Sequence, residues 1–197
     1  MPKVAGKMLR TQMLWVGPAT FLLDRPYLEH FLLCLQLPPP ILLSFTFASF
    51  NPNILNSTVT GPQSHLYFRI TTNSSKATCT ALFDATGNPI AIIEWREQPV
   101  VEIRGILSKR RASQWLTISK NGSCRKMEAL GKQFVWVPNG NLICLYDAGV
   151  NPSQLYAQVS RDSNSVTLEL TTEAVRIGLL ESCVVAAFLL QCGKNID

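Results

Sequence analysis

The chain has 197 residues, which is enough for one domain, or for one domain of about 150 residues with an extension. Apolar residues make up 47% of it and charged residues only 16%, against roughly 25% charged residues in an average soluble protein, so disorder throughout the chain is excluded. The 18 basic and 13 acidic residues give a net charge of +5. This net charge mildly favours anionic partners, but the density of basic residues is far below that of a dedicated nucleic-acid binder. We therefore expect no nucleic-acid partner.

The first 42 residues differ in composition from the rest. No acidic residue precedes Asp24, and Lys3, Lys7 and Arg10 share one helical face, a pattern that resembles a mitochondrial transit peptide or the charged end of a secretory signal. The alternative, which we favour, is a loosely ordered extension or a stretch that is predicted from the gene but not made in the cell. We therefore predict an extension at residues 1–42, a domain at 43–194 and a cytoplasmic, in part membrane-peripheral, location. If residues 1–42 are a targeting segment, the location is mitochondrial or secretory instead.

From residue 43 onward the sequence has the two-residue alternation of strands. Leu43, Phe45 and Phe47 alternate with polar residues, which is typical of a half-buried strand. Strong turn-forming residues separate the segments that follow. The predicted strands are 43–47, 65–70, 78–83, 90–95, 100–103, 114–118, 124–130, 133–137, 142–146, 154–159 and 166–170. About a dozen short, evenly spaced strands predict a meandering antiparallel barrel or sandwich.

The C-terminal segment 173–192 breaks the strand rhythm. It contains no proline, and Gly193 follows it where a helix cap is expected. Residues 183–190 are apolar on every face of a helix, so this helix must be buried. The segment is too short to span a bilayer. A closed barrel of strands around this helix satisfies both patterns, while a central strand at Val184 and Val185 is the alternative.

Several short motifs together resemble a known family. They are Phe45-Thr46-Phe47 to Asn51-Pro52 with Asn56 and Thr58, Tyr67 to Thr72, Ile93-Glu94-Trp95, Gly131 with Phe134 and Trp136, Leu168-Glu169-Leu170, and Leu180-Glu181 running into Val184-Val185. Their order and spacing over residues 43–192 resemble a fungal family of unknown function, DUF6593, grouped with the tubby C-terminal-like barrels. Relatives usually carry aspartate at the Glu181 position. The resemblance implies a closed, mainly β barrel of about a dozen strands around a C-terminal helix. It implies no activity, although better-studied barrels of this kind include phosphoinositide binders and scramblase-like proteins.

Few residues suit catalysis or metal binding. His65, beside Ser64, is the only histidine outside the first 42 residues, and a solvent-facing histidine at the end of a strand is the simpler interpretation. Glu94 and Glu97 lie on opposite faces of an extended strand, so they do not form a carboxylate pair. Glu94 and Arg96 are expected to point to solvent or to pair, with Trp95 in the core. We expect no catalytic residue and no cofactor.

The six cysteines argue against a metal site. No two are separated by only two residues, which excludes zinc-ribbon and thioredoxin-like motifs. Reduced thiols in the cytoplasm are the favoured interpretation. Glycosylation sequons at Asn56, Asn73 and Asn121 are the counter-evidence, and they matter only if the chain is secreted.

A cluster of basic residues is the strongest functional motif. Its members are Arg104, Lys109, Arg110, Arg111, Lys120, Arg125 and Lys126. With Lys109-Arg110-Arg111 placed between two strands, the cluster predicts a barrel rim that binds an anionic headgroup, with Trp115 at the membrane interface. The alternative is a solvated hairpin. The run Arg110-Arg111-Ala112-Ser113 also resembles a kinase site, where phosphate on Ser113 would cancel positive charge.

The sequence therefore predicts a non-enzymatic intracellular binding module whose partner is an anionic membrane surface or an acidic protein. The alternative is a structural or protein-interaction domain without a small ligand. A scramblase-like or enzymatic role comes third.

Overall fold

The computed structural model describes residues 41–50, 53–73, 78–149 and 154–197. Residues 1–40 of the predicted extension therefore lie outside the described residues. The described residues form one antiparallel sheet of thirteen strands. The strands are β1 Leu42–Ala48, β2 Ser57–Thr60, β3 Leu66–Thr72, β4 Cys79–Asp84, β5 Pro89–Glu94, β6 Val100–Ile103, β7 Leu107–Arg111, β8 Leu116–Ile118, β9 Arg125–Ala129, β10 Lys132–Asn139, β11 Leu142–Asp147, β12 Leu155–Arg161 and β13 Val166–Thr171. The helices are α1 Ala112–Trp115, α2 Thr172–Arg176 and α3 Leu180–Gln191.

The mainly β prediction is confirmed, with three local errors. Strands β2 and β7 were not predicted, and residues 114–118, predicted as one strand, contain the end of α1 and all of β8. Strand β7 is the sequence Leu-Ser-Lys-Arg-Arg, which has no apolar alternation because it lies at the edge of the sheet. Charged residues, lysine above all, are typical of edge strands, where they discourage pairing with other chains.

The prediction of a closed barrel is wrong. The strand order is β7-β6-β5-β4-β3-β2-β1-β13-β12-β11-β10-β9-β8, and no ladder joins β7 to β8 in the described sheet. Every neighbouring pair is antiparallel, so strands at the first and thirteenth positions run in the same direction. An antiparallel ladder cannot join two such edges. Only α1 separates the end of β7 from the start of β8. The two edge strands are therefore consecutive strands of the chain.

The core lies on one face of the sheet. Alternate side chains of most strands are buried, for example Phe45 and Phe47 on β1 and Val101 and Ile103 on β6. Helix α3 packs against β12 and β13, and its residues 182–189 are all buried. A helix that is apolar on all faces avoids water only in such a position. The alternative strand at Val184 and Val185 is therefore wrong.

The predicted helix over 173–192 is two helices. Thr171 accepts a hydrogen bond from the backbone N–H of Ala174 at 3.1 Å and caps α2. Gly178, with φ +85°, ends that helical path, because glycine adopts the left-handed region without steric cost. Helix α3 then begins at Leu180, and Gly193, with φ +71°, follows its end as predicted. None of the helices in the described residues is long and apolar enough to cross a membrane.

Candidate functional site

Strand β7 carries the first part of the basic cluster, and its charge is partly neutralised. The Glu94 carboxylate pairs with both Lys109 and Arg96. The hydrogen bond from Lys109 holds the pKa of Glu94 below its ordinary value, with Arg96 adding to the effect. Trp95 turns the other way, packs on Phe188 with ring centres 6.3 Å apart, and donates to Thr80 Oγ1 at 2.7 Å. The expected arrangement of Glu94, Trp95 and Arg96 is confirmed.

Arg110 and Arg111 complete β7. Arg110 lies directly opposite Val101, whose side chain is buried, so Arg110 is on the core face of the sheet edge and is half-buried. Arg111 is exposed and directly precedes α1. Neither guanidinium has an ion-pair partner among the residues that the structure describes. These two cations therefore keep their charge available.

Helix α1 connects the edge strands β7 and β8. Trp115 is 2% exposed, and its Nε1 donates to the Glu128 carbonyl at 2.9 Å. The prediction of Trp115 at a membrane interface is therefore wrong, because the ring is buried in the hydrophobic core. Ser113 is half-buried on the same helix, and its phosphorylation stays a prediction.

The β8–β9 hairpin holds two exposed lysines. Lys126 lies on β9 opposite Thr117, and Lys120 lies in the turn between the strands. Asn121 orders this turn, because its Oδ1 accepts hydrogen bonds from Ser119 Oγ at 2.7 Å and Ser123 Oγ at 2.8 Å. Neither lysine has an ion-pair partner among the described residues.

An exposed apolar residue accompanies these lysines. Ile118 is 48% exposed at the end of β8, two residues before Lys120. We call Ile118, Lys120 and Lys126 the hairpin tip. Ile118 lies opposite Arg125 and Lys126 lies opposite Thr117, so Ile118 and Lys126 are on opposite faces of the hairpin. A hairpin end that carries an apolar side chain and exposed cations is suited to a surface that is both apolar and anionic.

Arg125 is the exception within the cluster. Its side chain is 18% exposed. Nη1 donates to Asp197 Oδ1 at 2.8 Å and Nη2 to Oδ2 at 2.7 Å. Nη1 also donates to the Leu116 carbonyl at 2.9 Å. Arg125 is therefore occupied by an acid 72 residues away in sequence, a contact for which the sequence offers no signal.

Arg104 is separated from the hairpin tip. It follows β6 in the turn that leads into β7, whereas Lys120 follows β8. The strands β7 and β8 run in the same direction and are joined by α1. The turn before β7 and the turn after β8 therefore lie at opposite ends of the segment β7–α1–β8. The five residues of β7 alone span about 16 Å at about 3.3 Å per residue. The structure therefore does not bring Arg104 together with Lys120 and Lys126.

The remaining chemical candidates are isolated. His65 is exposed immediately before β3. The five described cysteines are free thiols, and burial raises the pKa of Cys144, Cys183 and Cys192 above the ordinary thiol value. Within the described part of the chain, no three His, Cys, Asp or Glu side chains are grouped so as to hold a metal ion.

Comparisons with known proteins give the family. A search of curated proteins found no match. Among solved structures, the X-ray structure of a protein from Arabidopsis thaliana is similar, with 13% sequence identity and a TM-score of 0.42, covering 77% of this chain and 92% of that one. A family model described as a family of unknown function, DUF6593, matches residues 52–194. As predicted from its motifs, the chain therefore belongs to the DUF6593 family.

Proposed function

We propose that the protein is a non-enzymatic binding module that attaches to anionic membrane surfaces through the hairpin tip. The observation that carries this proposal is that Lys120 and Lys126 are exposed and have no ion-pair partner among the described residues. The exposed Ile118 belongs to the same hairpin. Arg111, beside α1, adds a further unpaired charge. A solvated hairpin needs the charges but not the exposed isoleucine.

The expected affinity is modest and sensitive to salt. A lysine close to an anionic leaflet contributes about 1 kcal/mol, so the two tip lysines contribute about 2 kcal/mol, or roughly a 30-fold gain in binding. Screening over a Debye length of about 10 Å at 0.1 M salt weakens this gain as salt rises. The cytoplasmic leaflet carries the anionic lipids, so the proposal implies a cytoplasmic, membrane-peripheral location. A relationship of the fold to the tubby C-terminal-like barrels remains a prediction of the sequence resemblance.

Vesicle sedimentation tests the proposal. The wild-type chain and the variant Lys120→Gln/Lys126→Gln are compared on phosphatidylcholine vesicles with and without phosphatidylserine, at about 0.05 and 0.3 M salt. We expect binding that requires phosphatidylserine, weakens with salt and falls roughly 30-fold in the variant.

A matched control removes the same charge elsewhere. Arg69 and Arg104 are exposed and lie away from the hairpin tip, so Arg69→Gln/Arg104→Gln changes the net charge equally. We expect this control to bind nearly as well as the wild type. Equal losses in the two double variants, or binding indifferent to salt, would reject the hairpin tip as the binding surface.

A further inference from the structure

The residues after α3 connect the two halves of the open sheet. Lys194 Nζ lies 4.6 Å from the ring centre of Trp95, which follows β5. Three residues later, Asp197 is bonded to Arg125 on β9. Between them, Ile196 is 5% exposed. We call Lys194–Asp197 the strap, because it crosses from the β5 side of the sheet to the β9 side.

The strap ends in an interaction that resembles the binding of an anionic ligand. The two parallel hydrogen bonds from the Arg125 guanidinium to one carboxylate form the geometry that arginine also uses for phosphate. The carbonyl of Leu116 holds the guanidinium in place at 2.9 Å. Because the arginine side chain is mostly buried, it requires an anion, whether that anion is Asp197 or another group.

A second donor beside Arg125 lacks an acceptor. Trp136 on β10 lies directly opposite Arg125, so the two side chains share one face of the sheet with Cβ atoms about 5 Å apart. Trp136 is 1% exposed, and its Nε1 has no hydrogen-bond partner among the described residues. A buried N–H without an acceptor is destabilising, because it has lost its hydrogen bond to water. Asp197 accepts from Arg125 but not from Trp136 Nε1, although each carboxylate oxygen has room for a second hydrogen bond. A phosphate carries additional oxygens in a tetrahedral arrangement, and one of these could accept from the indole.

The strap itself is lightly held. The Asp197 side chain is 45% exposed, and Gly193 and Asn195 are exposed. Its contacts are the cation–π pair of Lys194, the burial of Ile196 and the ion pair of Asp197. A segment held by three contacts can open locally at a free-energy cost below that of global unfolding.

We propose that Arg125 and Trp136 form a phosphate-binding site that Asp197 occupies in cis, so that the strap and a phosphate group compete for it. The choice of phosphate rests on the proposed function, since anionic headgroups supply that chemistry. The site is distinct from the hairpin tip. The hairpin tip attaches the protein to the membrane, and the strap controls access to Arg125.

The test removes the internal competitor from the full chain. Asp197→Asn keeps the shape of the side chain and removes its charge. Asp162→Asn, at an exposed residue between β12 and β13, is the control with the same change of net charge. The probe is inorganic pyrophosphate, followed by the indole N–H resonances in a nitrogen–proton correlation spectrum, with Trp136→Phe identifying the Trp136 resonance.

We expect Asp197→Asn to bind pyrophosphate at least tenfold more tightly than the wild type and Asp162→Asn, with a shift of the Trp136 resonance. Asp197→Glu should restore weak binding, and Arg125→Lys/Asp197→Asn should lose the gain. Equal affinity in Asp197→Asn and Asp162→Asn, no binding by any variant, or a Trp136 resonance that does not move would each overturn the proposal. The spectra without pyrophosphate establish that each variant is folded.

Two arms separate this inference from the proposed function. In the soluble arm, Lys120→Gln/Lys126→Gln should bind pyrophosphate nearly as the wild type does. In the lipid arm, Asp197→Asn should gain affinity for vesicles containing phosphatidate. A soluble gain without a vesicle gain identifies free phosphate compounds as the ligand and supports the site. Vesicle binding that depends on the tip lysines but not on Asp197 rejects the site and leaves the proposed function in place.

Discussion

Strand β7 and the β8–β9 hairpin carry similar positive charge but differ in how that charge is used. On β7, Lys109 is neutralised by Glu94 from the same half of the sheet. On the hairpin, Lys120 and Lys126 have no ion-pair partner among the described residues, whereas Arg125 pairs with Asp197 of the strap. These residues form one cluster in the sequence. Whether each cation is free to bind a partner depends on which acidic side chains the fold places beside it.

The largest expected effect on stability comes from Arg125. Arg125→Ala removes a two-point ion pair and the bond to the Leu116 carbonyl, and it releases the end of the strap. We expect a loss of about 2 kcal/mol in the free energy of unfolding, measured by urea denaturation. A loss below about 0.5 kcal/mol, as for an ordinary surface pair, would contradict a structural role for the Arg125–Asp197 contact.

The pH dependence of Asp197 gives a smaller effect of defined sign. The hydrogen bonds from Arg125 lower the pKa of Asp197 from its ordinary value of 3.8. A carboxyl whose pKa is lower in the folded state stabilises the fold above 3.8, and this stabilisation is lost as the pH falls through the folded value. The stability difference between the wild type and Asp197→Asn should therefore be constant at neutral pH and shrink under acid, as followed by urea denaturation at several pH values.

A difference that grows on acidification would contradict this assignment. Asp162→Asn serves again as the control. We expect its stability difference from the wild type to be small at every pH, because the residue is exposed in a turn.

The smallest expected effect is at Lys109. Its side chain is 49% exposed, and in Lys109→Gln the Glu94 carboxylate keeps Arg96 as its partner. We expect a change of at most about 0.5 kcal/mol in the free energy of unfolding. A loss near that of Arg125→Ala would mean that the two edges of the sheet depend equally on their ion pairs.

The sequence predicted most strands because their faces differ in burial. Alternation at Phe45 and Phe47, or at Val101 and Ile103, reports directly which side chains enter the core. Strand β7 was missed because an edge strand rich in Lys and Arg has no such alternation. The open edge was not predictable either, since it depends on the number of strands and on α1 separating β7 from β8.

The candidate site was predictable only as a list of charges. The residues of the basic cluster are visible in the sequence, but the Glu94 pair spans 15 positions and the Asp197 pair spans 72. Contacts at such separations follow from the path of the whole sheet. For the same reason, no local pattern in the sequence predicts that Arg104 lies at the far end of β7 or that Trp115 is buried in the core.

One matched pair of single substitutions tests most directly whether ion pairing decides which cations bind. Lys126→Gln and Lys109→Gln remove the same charge, one from the hairpin tip and one from β7. On vesicles of phosphatidylcholine and phosphatidylserine at low salt, we expect Lys126→Gln to weaken binding about fivefold, since one lysine contributes about 1 kcal/mol, and Lys109→Gln to leave it nearly unchanged. Equal losses, or a larger loss for Lys109→Gln, would contradict the account.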